Sequence, residues 1–415
     1  MGEAGGADRG TGLRMRIAFL LPMSLESPSG LRYSGMAKAL QERGHQVTVL
    51  ALHHDLESVR SRYLEVGGVQ LHYVGQMHVR KVGNHKSYYS PTQLLRVALV
   101  STWQLMKWAA CMECDLVHLG KPQPINGLAG LLGGRLLRRR PLFLDCDDYE
   151  AVSNRFANPW LRRVIILFED GLPRFTSGLT VNTRFSQARY VQLGVDSRRI
   201  AYVPNGIDRA RFEIPTSSHV EALRRRWEVQ GRKIIAYIGS MSLTNHSVAL
   251  LLNSFALLLS RHQNVVLLLV GGGEDYDALQ DQAKSLGLDR VVRFVGRVPP
   301  ADTPAYFALA DVTVDPVHDD LVARARSPLK IVESLAVGTP VVTGDVGDRR
   351  DMLADGEAGI LVKAGDAHAL AEGMTQVLEN PDLAESLSQT ALVQREGYYW
   401  ENLIDPVIAL YEGAS

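Results

Sequence analysis

Cysteine is nearly absent from the chain: Cys111, Cys114 and Cys146 are the three in 415 residues. Three thiols build no disulfide framework, which excludes the small stapled secreted folds and predicts a reducing compartment. Cys111-Met-Glu-Cys114 has redox-motif spacing, but no second pair completes a zinc site and it closes an apolar helical run, so it reads as structural. Uncharged apolar runs of membrane-spanning length are missing as well. So is any excess of charge, since Lys+Arg and Asp+Glu both number 45. With basic residues scattered and no recognition motif, nucleic acid is not an expected partner. Residues 1–14 are rich in glycine and charge and lack the apolar core of a signal peptide. They read as a disordered tail, with Met15 a candidate start.

What is present is an ordinary globular composition, 46% apolar and 22% charged, in a length that suits two domains. The neutral total hides an asymmetry. Residues 1–204 carry 26 Lys+Arg against 16 Asp+Glu, and residues 205–415 carry 19 against 29. A basic first half suits an anionic acceptor or peripheral contact with an anionic membrane, and equally suits an acidic partner domain. The compartment expected is the cytoplasm, with the inner face of the membrane as a peripheral site.

The pattern of apolar runs is strand, helix, strand, twice over. In the first half, strands are predicted at Arg16–Leu21, Val47–Leu52, Val69–Val74, Asp115–Leu119, Leu142–Leu144 and Gly178–Asn182, with helices at Tyr33–Arg43, Gln93–Ala110 and Asn126–Leu137. Pro204-Asn-Gly-Ile-Asp208 has strong turn chemistry and reads as a linker. The second half restarts with strands at Lys233–Ile238, Val265–Val270, Val291–Val295 and Val312–Val314. Such alternation predicts two doubly wound α/β domains, residues 15–204 and 205–397, with residues 398–415 returning to the first. Ligands of such sheets bind at strand C-termini, here in a cleft between the domains. Gly271-Gly-Gly273 lacks dinucleotide-fingerprint spacing and reads as a strand–helix turn near that cleft.

Three stretches carry candidate chemistry. At the end of one strand, Asp145-Cys-Asp-Asp-Tyr-Glu150 gathers four carboxylates, which must be paired, functional or solvated. Metal binding and a substrate-facing role are both open from the residues alone. Arg155–Phe168 mixes arginines with Phe156, Trp160 and isoleucines, as an interfacial helix or one packed at a domain surface would. The third stretch, Ala323–Val342, organises the chain. Ser327 is predicted as the N-cap and Pro328 as the first residue of a helix reaching Val337, with Gly338 as its C-cap. Free N–H groups at that start, beside Arg324, Arg326 and Lys330, make an anion site. Glu333 is placed one turn in, close to Lys330, where a sugar hydroxyl could reach it.

These residues resemble the glycosyltransferase family 4 pattern in the GT-B fold. The resemblance rests on Arg43-Gly-His-Gln-Val-Thr-Val, Val203-Pro-Asn-Gly-Ile-Asp with Arg211-Phe212, Val270-Gly-Gly-Gly-Glu with Val292-Arg-Phe-Val-Gly, and Ile331-Val-Glu-Ser-Leu-Ala-Val-Gly-Thr-Pro-Val-Val, in order over nearly the whole chain. Tyr399-Trp400 and Leu410-Tyr411 resemble the helix that crosses back in this fold. It implies retaining transfer of a sugar from a nucleotide-diphospho sugar to a hydroxyl acceptor, with no cofactor and no metal required. It implies donor contacts from Glu333 to the ribose, from the helix start at Ser327-Pro-Leu329 to the distal phosphate, from the Gly30 loop, and from Arg297 at the base pocket.

The departures are as informative. The first Glu of the family's Glu-x7-Glu motif falls at Ala325, the diphosphate Arg/Lys pair at Ser240 (after Gly239) and His246, and the first-domain His near Asp147. Lys330 and Arg326 are the expected replacements for the missing cations, with His246 as a further donor. Asp147 or Asp148 is the candidate for contact with a sugar hydroxyl or for base action on the acceptor. Other readings of the same fold are a non-catalytic nucleotide-sugar binder and a nucleotide-sugar epimerase.

Overall fold

The buried apolar runs assemble into two parallel sheets, one for each half of the chain. The structure is a computed structural model that describes residues 14–27, 29–82, 85–154, 156, 158–243 and 246–414. The tail expected at 1–14 lies outside it except for Arg14, and so does Arg155.

The first sheet takes β1 (Arg16–Leu21), β2 (Gln46–His53), β3 (Tyr63–Val66) and β4 (Val69–Gln76). A separate hairpin follows, β5 (Val79–Val82) with β6 (His85–Tyr88), and then β7 (Leu116–Gly120), β8 (Leu142–Cys146), β9 (Gly178–Val181) and β10 (Ile200–Tyr202). The order is β10-β9-β8-β7-β1-β2-β4-β3, parallel except for the β3–β4 edge pair. The second sheet takes β11 (Lys233–Ile238), β12 (Val265–Val270), β13 (Val292–Gly296), β14 (Val312–Asp315), β15 (Val341–Gly344) and β16 (Ile360–Val362). It is wholly parallel, in the order β13-β12-β11-β14-β15-β16. Helices cover both faces of each sheet, so strands such as Val-Val-Leu-Leu-Leu-Val in β12 are buried at every position.

The helices that shape the site are α1 (Gly30–Glu42), α2 (Pro91–Cys111), α3 (Pro124–Ala129) with its π-helical continuation Gly130–Leu136, α4 (Pro159–Gly171), α5 (Leu329–Val337) and α6 (Asp405–Glu412). α2 starts at Ser90, which forms a capping box with Gln93, and Pro91 needs no N–H at that position. α1 begins earlier than its apolar spacing predicts, so Gly30 is its first residue and not a loop glycine. A Cβ there would stand 2.3 Å from the Ser24 carbonyl oxygen, so the fold of the preceding turn requires glycine.

The last helices return to the first lobe. Trp400, Ile404, Val407 and Tyr411 are buried with Phe19, Tyr33 and Phe143 in one core cluster, and the Tyr411 hydroxyl meets Nδ1 of the buried His118. Between the lobes the linker at 204–208 is pinned by a bridge from Ile207 to Tyr399. Among the described residues no helix is long and apolar enough to cross a membrane.

Gly271 is the tightest point of the second lobe. Its φ is +135°, and a Cβ would lie 1.9 Å from the carbonyl oxygen of Gly239. The turns after β11 and β12 therefore touch backbone to backbone. Gly271→Ala is expected to lower stability by about 2–3 kcal/mol, read as a fall in Tm. An unchanged melting curve would show that the two turns are not in contact.

Candidate active site

Each sheet ends in charged residues at its C-terminal edge, and the two edges face one another. On the second lobe β14 ends in Asp315, which is buried. Lys330, in the first turn of α5, donates to one of its oxygens at 3.0 Å, and the buried Arg349 donates to the other at 2.8 Å. Burial alone would raise the Asp315 pKa, and these two cations hold it well below the usual carboxylate range. The Lys330 ammonium also lies 5.0 Å over the ring of Tyr237, whose hydroxyl donates to the Ser240 carbonyl. Gly239 leaves room for this: a Cβ there would be 3.2 Å from Cε of Lys330.

Five of the predicted donor residues, Gly239, Ser240, His246, Arg326 and Lys330, thus converge at the start of α5. Burial pushes the His246 pKa well down, and the charges of Lys330 and Arg326 push the same way. The imidazole is therefore a neutral hydrogen-bonding group. Arg324 is drawn off into an exposed pair with Asp319. Leu329 opens α5 and packs half-buried on the core of the second lobe.

One expectation is corrected here. Ser327 does not cap α5. The helix starts at Leu329 with Pro328 at the cap position, and no side chain caps it. The Ser327 hydroxyl instead accepts from the Asn205 amide at 3.1 Å, and its carbonyl accepts from Nδ2 of Asn205 at 2.7 Å. The linker has claimed the group that would have bonded the helix start. Glu333 does lie near Lys330, as expected, but its ion pair is made elsewhere. Its partner is Arg211 at 3.1 Å, itself bonded to the Thr303 hydroxyl and the Pro300 carbonyl, close to the exposed Arg297 that follows β13. Burial pushes the Glu333 pKa up to about 7, against the pull of Arg211. Gly338 does end the helix, at φ +75°.

On the first lobe the acidic run divides in two. Asp145 is buried and pairs with Arg32 of α1 through two bonds, Nη2 to Oδ1 at 2.8 Å and Nε to Oδ2 at 2.9 Å. The remaining guanidinium nitrogen reaches the Pro204 carbonyl and Oδ1 of Asn205, both at 3.2 Å. Asp147, Asp148 and Glu150 surround the ammonium of Lys121, at 3.1, 2.9 and 2.7 Å. Lys121 is held at φ +70° directly after β7, an uncommon backbone state for a side chain of its length. Burial raises the Asp147 pKa to about 7 in spite of Lys121. Asp148, more open to the cleft, is held down by Lys121 and by Arg326 of the opposite lobe, against a rise from burial. The oxygens of Asp147, Asp148 and Glu150 lie close enough to hold a metal ion, but a lysine ammonium already bridges them.

Lys121, Arg32, Asp315 and Arg349 were not among the site residues read from sequence, and Arg211 was read only as part of a family motif. Asp315 had a signal, a carboxylate ending the apolar run Val312-Thr-Val, and so did Lys121 at the end of Leu116–Gly120. The other three are single arginines whose partners lie 34 to 122 residues away. The lobes also meet where Asp348 accepts from the Arg184 amide at 2.9 Å and the Tyr202 hydroxyl at 3.0 Å. Beside that contact is a cavity of about 420 Å³ lined by Arg184, Asp319, Arg324, Asp345 and Asp348, away from Lys330.

Two wound α/β lobes whose strand ends face one another across a charged cleft define a GT-B glycosyltransferase. Residues 220–393 match the model described as glycosyl transferases group 1, and residues 30–206 match the glycosyl transferase 4-like domain. The chain belongs to this GT4-like family of glycosyltransferases. Among curated relatives it is 30% identical over 243 residues to a D-inositol 3-phosphate glycosyltransferase of Corynebacterium urealyticum, covering 56% of each chain. It is 24% identical to the phosphatidyl-myo-inositol mannosyltransferase of Mycobacterium leprae, covering 96% of each. Among solved structures it resembles Anabaena HepE in complex with UDP-glucose, with a TM-score of 0.72, 19% identity, and coverage of 97% of this chain and 100% of that one.

Proposed function

We propose that the protein moves a sugar from a nucleotide-diphospho sugar to an acceptor hydroxyl, with retention at the anomeric carbon. The observation that carries this is the start of α5. Uncapped helix N–H groups, the Lys330 ammonium and the Arg326 charge stand together there, with Glu333 one turn further in. A departing nucleoside diphosphate develops charge on phosphate oxygens, and these groups would stabilise it. Glu333 would accept from the ribose hydroxyls once Arg211 yields, with Arg297 and the loop before Thr303 near the base. Asp148, ionised and facing Arg326, would orient an acceptor hydroxyl. Asp147, protonated up to about pH 7, would donate to the sugar or acceptor. Lys121 holds both in place. Retention follows from family resemblance: the leaving phosphate takes the acceptor's proton on the same face, so no covalent nucleophile is needed. Ala325 is almost fully buried, so the sugar contacts of a Glu at that position would have to come from elsewhere in the cleft. HepE was solved with UDP-glucose, and the mannosyltransferase relative is named for an inositol lipid acceptor. Both names fit such a donor and a hydroxyl-rich acceptor.

A panel of nucleotide sugars, with release of nucleoside diphosphate and the anomeric configuration of the product as readouts, tests the proposal. Binding with no transfer or hydrolysis in any combination would favour the non-catalytic reading, and epimerised donor without acceptor would identify the other enzyme.

Glu333 supplies a sharper test. Its carboxyl is protonated below about pH 7 in the free protein, so binding that needs the carboxylate weakens as pH falls through that value. Nucleoside diphosphate affinity is expected to be about tenfold weaker at pH 6 than at pH 8. In Glu333→Gln that part of the pH dependence is expected to be lost. Equal pH profiles for the two proteins would remove Glu333 from the donor site.

A further inference from the structure

We infer that the outer face of α2, α3 with its π-helical continuation, and α4 is a docking surface for an anionic lipid bilayer. Two glycines bring these helices together side by side. A Cβ on Gly133 would stand 2.5 Å from the Met106 carbonyl of α2, and one on Gly127 would stand 3.0 Å from Leu172 and 3.3 Å from Phe168 of α4. Their inner residues, Leu105, Ala109, Ile125 and Ala129, fill the core cluster beneath. Their outer residues are large and apolar: Leu99 is 63% exposed and Trp103 52% on α2, Leu132 41% and Leu136 67% on the π segment, and Trp160 67% and Leu167 69% on α4. Leaving so many large apolar side chains in water on one continuous face is costly, and such a patch marks an interaction surface.

The charge around the patch identifies the partner. Arg96, Lys107, Arg135, Arg162 and Arg163 are exposed on these elements, and Arg139 is exposed in the turn that follows the π segment. On these helices the acidic residues are Glu169, which is buried, and Asp170, which pairs with Arg189. A protein partner would have to match a face with six exposed cations whose one partly exposed carboxylate is already paired. A bilayer of anionic lipids does so everywhere at once, with Trp and Leu entering the headgroup boundary and Arg and Lys meeting phosphates. The Lys107 ammonium, 5.5 Å over the Trp103 ring, sits as such a pair would at an interface.

The same helices reach the acidic side of the cleft. Nε of Arg162 donates to the Ala151 carbonyl at 3.1 Å, and the Glu169 carboxylate of α4 accepts from the amides of Glu150 and Ala151 at 2.8 and 3.1 Å. α3 begins directly after the loop that carries Lys121. A bilayer on this face would lie beside the acceptor half of the site, whichever donor the cleft takes.

Co-sedimentation with phosphatidylcholine vesicles, with and without phosphatidylglycerol, tests this. The full chain is expected to bind the anionic vesicles, to release them as salt is raised, and to bind neutral vesicles weakly. Arg139→Gln with Arg163→Gln should weaken anionic binding by about 30-fold and leave neutral binding unchanged. Trp103→Glu with Leu136→Glu should weaken binding to both by tenfold or more, at unchanged Tm and unchanged nucleotide affinity. Absence of binding to anionic vesicles at low salt overturns the assignment. So does equal binding to neutral ones, or a dimer on size exclusion that the glutamates dissolve, since the face would then cover a second copy of the chain.

Discussion

Lys330→Met is expected to lower kcat/KM by roughly 10²–10³-fold, the cost of removing one fixed charge from a group that stabilises a developing anion. Lys330 is placed for that role by more than its position in the helix. Asp315 holds its ammonium from below, Tyr237 lies beneath it, and Gly239 leaves the space it occupies. Burial lowers its pKa and Asp315 opposes this, so the cation is held in a site where its field is poorly screened. Asp315 keeps Arg349 when Lys330 is lost, so the variant should melt within a few degrees of the parent. The effect should lie in kcat more than in donor affinity, because charge on the diphosphate grows as the sugar departs. A Lys330→Met variant that kept more than half the parent activity would mean that the diphosphate is stabilised elsewhere.

The second large effect is on stability. Asp145→Ala strips the partner from a buried guanidinium, and breaking such a pair costs about 3–5 kcal/mol. For a lobe of this size that corresponds to roughly 10 °C in Tm. Burial alone would lower the Arg32 pKa, and the Asp145 charge more than offsets it, so the arginine stays charged and needs its partner. Thr180 donates to the same carboxylate, and Arg32 also carries the Pro204 carbonyl and Asn205. The damage should therefore spread from the first core to the linker. The double variant Asp145→Ala, Arg32→Met removes the stranded charge and should recover part of the loss. A single variant that melts like the parent would show that the pair is worth nothing.

The fold was legible because its signal is repeated. Buried parallel strands are continuous apolar runs, and β1, β11 and β12 carry their predicted boundaries unchanged. The edge of the first sheet was not foreseen: β3 is exposed at all four positions, so no alternation marks it. At the site, the helix start at Leu329 and the acidic loop could be found because local rules place anions and cations at helix and strand ends. The partners could not. Lys330 goes to Asp315, Glu333 goes to Arg211, and Asn205 takes Ser327 from its cap, because tertiary neighbours offered better geometry than the chain's own next turn. A capping rule has no knowledge of a linker that folds back from more than a hundred residues away.

Tyr411 and Trp400 lie against strands made from residues near the start of the chain. The ribosome therefore delivers the second lobe before the first has its final wedge. While residues 205–397 are being translated, the earlier half must wait with Phe19, Tyr33 and Phe143 incompletely covered. Order of synthesis and order of completion run in opposite directions in this molecule.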